Sequence, residues 1–229
     1  MSGGVLERLR GGLIVSCQAP STPHPLRHSD TIARLAAAAA AGGAVAVRVG
    51  GLGGVQDIAA TRASVALPII GLTKAGPGPV YITPTLAAVR GCLDVGADVI
   101  AIDGTGRDRH DRSTQQQQYA LCRAAGVPAM ADVADADQAV AAAADGATII
   151  GTTLAGYTGD RPRTDGPDLQ VLQQIRALLP AVFLIAEGRY HRPDDVRAAF
   201  ALGADAVVVG TAITDIEWLT RSFVAALPG

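Results

Sequence analysis

A closed barrel of eight parallel strands, each followed by a helix, is the fold this sequence predicts, and three observations predict it. First, short apolar, β-branched runs recur seven times in the 229 residues, each ending on a polar, charged or glycine residue. With GGLIVSCQ (11–18) in front they make eight. Second, the runs alternate between two formats. One follows a helix end with Gly-Ala or Gly-Gly-Ala and a strand: AAAGGAVAVR (39–48), LDVGADVIAID (93–103), AADGATIIGT (143–152) and ALGADAVVVGT (201–211). The other introduces the strand with proline: LPIIGLTK (67–74), VPAMAD (127–132) and PAVFLIAEG (180–188). Third, eight βα units in roughly 230 residues is the arithmetic of a TIM barrel.

Each element has its local reason. The strand runs are continuously apolar, as parallel strands covered by helices must be. Residues 29–41 follow a helix-start signal, Ser29-Asp30, and run through good helix formers to Gly42-Gly43. The same logic predicts helices near 83–95, 113–125, 134–145, 166–179, 192–202 and 214–226. Thr83-Pro84 and Arg192-Pro193-Asp194 place proline in a first turn, where its missing N–H is harmless. The rival fold, an open doubly wound sheet, lacks support because the turn after the first strand (SCQAPSTPHP) has no G-x-G-x-x-G. Two longer loops, 18–28 and 153–168, fall on the carboxyl side of the strands and read as lids or substrate walls. The length suits one barrel domain over residues 1–229.

Composition narrows the function. Hydrophobic residues make up 49% and charged ones 17%, enough for a large interior. A net charge of −2 and a pI near 6.0 offer no basic field to nucleic acid, and 3% aromatics leave few stacking platforms. Cys17, Cys92 and Cys122 are odd in number and lack metal-type spacing, which fits reduced thiols in the cytoplasm. The segment MSGGVLERLR has no apolar signal core, and the alanine run 36–41 is too short to span a bilayer, so no membrane partner is expected.

Chemistry in such barrels sits at the carboxyl ends of the strands, which selects Gln18, Arg48, Lys74, Asp103, Asp132, Glu187 and the pair Gly210-Thr211. Lys74 is the only lysine in a chain whose other eighteen basic residues are arginines, a bias that makes its place at a strand end informative. There a lysine works as a neutralised base, a Schiff-base nucleophile or an anion clamp. Glu187 follows VFLIA, so partial burial should raise its pKa toward acid–base duty. Asp103 and Asp132 either orient a partner, hold a sugar hydroxyl or cap the next segment. Gly188 and Gly210-Thr211 occupy the usual phosphate position after the seventh and eighth strands. None of His24, His28, His110 and His191 ends a strand, so no imidazole metal site is expected. An oxygen-only site from Asp103, Asp132 and Glu187 stays open.

The strand-end segments resemble the bacterial N-acetylmannosamine-6-phosphate 2-epimerases, the NanE-type family of amino-sugar and sialic acid catabolism. The resemblance is carried by GGLIVSCQ (11–18), GGAVAVR (42–48), LPIIGLTK (67–74), ITPTL (82–86), GADVIAIDGT (96–105), MAD (130–132), IIGTTLAGYT (149–158), IAEGRY (185–190) and GADAVVVGTAIT (203–214). It spans all eight units, and GTTLAGYT and AEGRY are its most specific stretches. It implies a cofactor-free and metal-free isomerase in which Lys74 and Glu187 move a proton at C2. Arg48 and Asp132 would bind and polarise the sugar, with Gln18 at the amide or hydroxyls. Gly188, Arg189, Gly210 and Thr211 would lie at the phosphate end and Tyr157 on the substrate wall. A second copy of the chain is a further expected partner. The chain departs from the family pattern at Ala75-Gly76-Pro77, where Arg-Asp often follows the lysine. It departs again at Asp215, where arginine often stands and where a carboxylate should repel a phosphate. A Schiff-base aldolase or lyase acting on a phosphosugar through Lys74 is the alternative enzyme. A phosphosugar-binding protein without turnover is the non-enzymatic one.

Overall fold

The computed structural model describes residues 4–76, 78–159 and 161–228, so Pro77 of the first departure lies outside the described residues. Eight strands run in chain order: β1 (Leu13–Cys17), β2 (Ala46–Val49), β3 (Ile69–Gly71), β4 (Val99–Asp103), β5 (Ala129–Asp132), β6 (Ile149–Gly151), β7 (Phe183–Glu187) and β8 (Ala206–Val209). Each pairs in parallel with the next, and β8 closes on β1 through Leu13↔Val207, Ile14↔Val208 and Val15↔Val209. The closed TIM barrel predicted from the spacing is therefore the fold, and the open sheet is excluded.

Alternation along each strand divides the apolar residues into two shells. Ile14, Ala46, Ile70, Val99, Ala101, Met130, Ile149, Phe183, Ile185, Ala206 and Val208 fill the barrel. Their neighbours, among them Val15, Val47, Ile69, Ile100, Ala131, Ile150, Leu184 and Val207, face the helices. The short α1 (Val5–Leu9) plugs the barrel floor, with Leu9 fully buried in the inner shell. The same parity carries Ser16, Arg48, Asp132 and Glu187 inward at the opposite rim.

The outer helices are α2 (Ser29–Ala41), α3 (Val55–Ser64), α4 (Leu86–Asp94), α5 (Gln115–Ala124), α6 (Ala136–Asp145), α7 (Leu169–Leu178) and α8 (Pro193–Ala201). After β8 come α9 (Thr211–Thr214) and α10 (Ile216–Val224). Among the described residues none is long and apolar enough to cross a membrane. Capping sets most starts: Thr114 forms a capping box with Gln117, and Asp135 and Asp168 accept from Gln138 N–H and Val171 N–H. The start expected at Thr83-Pro84 moves to Thr85, which accepts from Ala88 N–H at 3.0 Å. Thr83 itself is buried at φ 43°, with its hydroxyl donating to the Ala101 carbonyl at 2.6 Å. The helix expected over 214–226 is α10, which starts at Ile216 because Asp215 caps it, while the single turn α9 precedes it.

Helix α3 has no strong start signal in the sequence. It follows the glycine-rich Gly50–Gly54 turn, and Gly54 caps it without a side chain. Glycine is required at position 50, where φ is 116° and a Cβ would lie 1.9 Å from the Leu72 carbonyl oxygen. The turn thus lets the chain leaving β2 pass against the chain leaving β3.

Candidate active site

A cavity of about 280 Å³ opens at the carboxyl rim. Of the residues selected from the sequence, Gln18, Arg48, Lys74, Tyr157, Glu187, Gly188, Arg189, Gly210, Thr211 and Asp215 line it. Asp103 and Asp132 do not, for different reasons.

Asp103 is fully buried and acts as a loop cap. Its carboxylate accepts from Thr105 N–H at 3.0 Å, from the Thr105 hydroxyl and from Arg107 at 3.1 Å. Asp132 stands behind Arg48. Arg48 reaches it with two N–H groups, Nη1 to Oδ1 at 3.1 Å and Nη2 to Oδ2 at 2.6 Å. Nη1 lies equally 3.1 Å from Glu187 Oε2. Burial works against the Arg48 charge, but Asp132 and Glu187 outweigh it and hold the guanidinium pKa above its ordinary value. Arg48 Nε is buried and, among the described residues, has no hydrogen-bond partner.

Glu187 ends β7 and is anchored at its backbone: its N–H donates to the Thr152 hydroxyl at 2.9 Å, which donates to the Glu187 carbonyl at 2.8 Å. Its side chain is 12% exposed. Burial pushes the carboxyl up to about 7, opposed by Arg48, reinforced by Asp132 and opposed again by Thr153 and Lys74. The Thr153 hydroxyl oxygen lies 2.6 Å from Asp132 Oδ1 and 3.1 Å from Glu187 Oε2. This close packing needs glycine at 151, where a Cβ would lie 2.3 Å from Met130 Cε and 3.3 Å from Asp132 Oδ1.

Lys74 does not sit at the end of β3 as the sequence suggests; the strand stops at Gly71. Three residues on, Lys74 pairs with Ile82 in an antiparallel bridge. Ala75 N–H donates to the Tyr81 carbonyl at 3.1 Å, and Thr83 N–H to Thr73 at 2.8 Å. The loop between β3 and α4 is thus a hairpin that carries Lys74 and Tyr81 over the cavity. Among the described residues Lys74 makes no ion pair. Burial and then the Arg48 charge lower its pKa, against the pull of Glu187 and Asp132.

Gln18 donates to the Ser16 hydroxyl at 2.9 Å, and its carbonyl oxygen is buried without a partner. Arg189, at φ 60°, turns its guanidinium into the 153–168 loop. It donates to Gly166 and Ala155 carbonyls at 2.9 and 2.8 Å and to the Thr164 hydroxyl at 3.0 Å. It also lies 5.1 Å from the Tyr157 ring, so it stiffens the wall that Tyr157 forms. Asp215 accepts from Trp218 N–H at 2.9 Å as the cap of α10.

The reading by strand ends missed Thr153, Tyr81, Ser16, Thr214 and His191, all of which line the cavity. Ser16 has a sequence signal in the inward parity of β1. Tyr81 has none until the hairpin is known. No group of three His, Cys, Asp or Glu side chains among the described residues is placed to hold a metal ion.

A TIM barrel with an unpaired amine and an elevated carboxyl facing one rim cavity defines a site equipped for proton transfer. Residues 32–228 match the NanE family, described as "Putative N-acetylmannosamine-6-phosphate epimerase", and the chain belongs to this family. A relative from Cutibacterium acnes, "Putative N-acetylmannosamine-6-phosphate 2-epimerase", is 48% identical over 97% of this chain and 96% of its own. The "Bifunctional enzyme NanE/NanK" of Brucella suis is 42% identical over 96% of this chain but only 41% of its own length. Among solved structures, the N-acetylmannosamine-6-phosphate 2-epimerase from Clostridium perfringens superposes with a TM-score of 0.94 at 34% identity. It covers 99% of this chain and 98% of that one.

Proposed function

We propose that this chain, as a single barrel, inverts C2 of N-acetylmannosamine 6-phosphate to give N-acetylglucosamine 6-phosphate, in amino-sugar and sialic acid catabolism. The observation that carries the reading is the pairing, in one cavity, of a lysine and a glutamate that burial drives toward their neutral forms. C2 becomes acidic only when the sugar ring opens to the C1 aldehyde. Neutral Lys74 then takes the C2 proton, and the electron pair of the broken C–H bond forms the C1–C2 double bond as the carbonyl pair moves onto the C1 oxygen, giving an enolate. Arg48 Nε and the Arg48 charge stabilise that oxygen. Glu187 returns a proton to the opposite face of C2, and in the reverse direction the two exchange roles. Asp132 holds Arg48 in place, and the Gln18 carbonyl oxygen accepts from the acetamido N–H or a hydroxyl. The N–H groups of Gly188, Gly210 and Thr211, with the Thr211 hydroxyl, receive the phosphate; Tyr157, braced by Arg189, walls the sugar. No step calls on a cofactor or metal.

A Schiff-base lyase would also use an unpaired lysine, and trapping of a covalent substrate adduct by borohydride separates it from a proton-transfer epimerase. Incubation with N-acetylmannosamine 6-phosphate in D₂O, followed by NMR at H2, tests the reading. Exchange of H2 for deuterium together with appearance of the C2 epimer is expected; a carbon–carbon cleavage product trapped by borohydride would overturn it.

The cytoplasm is the proposed compartment, supported by three buried free cysteines. A homodimer belongs to the same reading. It is supported by α10, none of whose residues is buried, with Ile216, Leu219, Phe223 and Val224 exposed. An apolar groove between β1 and α2, lined by Leu13, Val15, Leu35 and Ala39, could receive such a face.

A further inference from the structure

Thr153 stands between two carboxylates, 2.6 Å from Asp132 Oδ1 and 3.1 Å from Glu187 Oε2, yet a hydroxyl carries one proton and can donate to only one of them at a time. The two claimants differ. Asp132 receives two N–H groups of Arg48 whatever Thr153 does. Glu187 Oε2 has Arg48 Nη1 at 3.1 Å and Thr153, while among the described residues Oε1 accepts no hydrogen bond, on a side chain that lines the cavity. The acid proton that reaches C2 therefore belongs on Oε1.

We infer that Thr153 is a positioning residue whose hydroxyl swings between Asp132 and Glu187 in step with the proton on Glu187. With Glu187 neutral, Thr153 donates to Asp132. As the Oε1–H bond breaks, the enolate electron pair forms the new C2–H bond and the O–H pair stays on the carboxylate, spreading charge onto Oε2. The Thr153 O–H then rotates from Asp132 to Oε2, gaining and losing no proton. Asp132 retains its two bonds from Arg48, so no carboxylate is left without a donor in either state. In the opposite direction the hydroxyl swings back. A Glu187 carboxyl raised to about 7 supports population of both states at neutral pH.

The inference rests on Glu187 being the group that moves a proton, and the test separates the two. Turnover and its pH profile are measured for wild type, Thr153→Val, Thr153→Ser and Glu187→Gln, with Thr153→Ala in reserve if the valine does not fold. Loss of one hydrogen bond to a developing charge should lower kcat of Thr153→Val about tenfold. It should also move the limb set by Glu187 upward by about one pH unit, because the anion has lost a donor. The limb set by Lys74 should stay, and Thr153→Ser should restore both rate and limb. In the Glu187→Gln background the valine should add little further loss. A fall in rate with neither limb moved, or failure of serine to rescue, would make Thr153 mere packing and overturn the inference while Glu187 keeps its role. Full turnover by Glu187→Gln would overturn both.

Discussion

Lys74 and Glu187 are opposites by nature that their surroundings push toward the same uncharged condition. Lys74→Ala should therefore lose roughly 100- to 10,000-fold in kcat, the usual contribution of a general acid or base, with modest change in KM. Activity within a few-fold of wild type would remove the lysine from the chemistry. Glu187 also makes a prediction about stability. Its carboxyl is raised from the ordinary 4.5 to about 7, so the folded chain holds a proton that the unfolded chain has released over that interval. Its contribution is fully present below about 4.5 and is lost as pH rises through about 7. Glu187→Gln should thus abolish turnover yet raise Tm more at pH 8 than at pH 5, measured by thermal melts at both. An equal change at both would show that the carboxyl is not elevated. Glu187 and Arg48 were legible in sequence because strand parity aims them inward. Asp103 has the same parity, but Thr105 and Arg107 claim it, and that competition depends on loop geometry that a strand pattern does not contain.

The elements divide along the same line. Strands announced by Gly-Ala-Asp or by proline were legible because a local reason fixes their starts. In both Gly-Ala-Asp repeats followed through the sheet, the aspartate accepts a neighbouring strand's N–H, Asp98 from Ile69 at 2.8 Å and Asp205 from Leu184 at 2.9 Å. Helix α3 was not legible, because its start is a glycine turn held by tertiary contact with Leu72. Helix α10 was misjudged at its start, since Asp215 was weighed as a charge near a phosphate and not as a cap. It is both a cavity-lining residue and a cap, which makes the simple replacement by arginine ambiguous: the cap is worth about 1 kcal/mol. Asp215→Asn keeps an acceptor for Trp218 N–H and removes the charge. It should lower KM for the phosphorylated sugar about fivefold, for a repulsion of about 1 kcal/mol, and leave Tm and the unphosphorylated sugar unchanged. An equal effect on both sugars would show that residue 215 does not face the phosphate.

At the scale of the whole molecule, eight alternating units predicted closure, and closure does what no single unit can. It brings β2, β5 and β7 within reach of one another, so hydrogen bonds and one ion pair join Arg48, Asp132, Glu187 and Thr153 into a ring from segments up to 139 residues apart in the chain (187 − 48). Most of this ring could be named from the sequence. Thr153 could not, since it follows β6 in a loop whose path is set by Asp132 and the loop's own brace to Arg189. The fold was thus more readable than the site: repetition fixes the barrel many times over, whereas each loop that finishes the site occurs once.

The hairpin that carries Lys74 gives the rim a separate dynamic identity. Barrel strands are protected by neighbours on both sides, and their amides should exchange with solvent only through global opening. The hairpin's Ile82–Thr83 arm is tied to β4 through Asp103 N–H and the Ala101 carbonyl, but its other arm is held more thinly, Ala75 N–H bonding across to Tyr81 and Lys74 N–H to the Gly51 carbonyl. Hydrogen exchange followed by NMR should find the Lys74 and Ala75 amides exchanging faster than those of Val47 or Ile100 by at least two orders of magnitude, and slowing when the phosphosugar is bound. Uniform protection across strand and hairpin would mean that the two open together. With the faster exchange expected, the proposed base is mounted on a part that breathes, and the proposed acid on a part that does not.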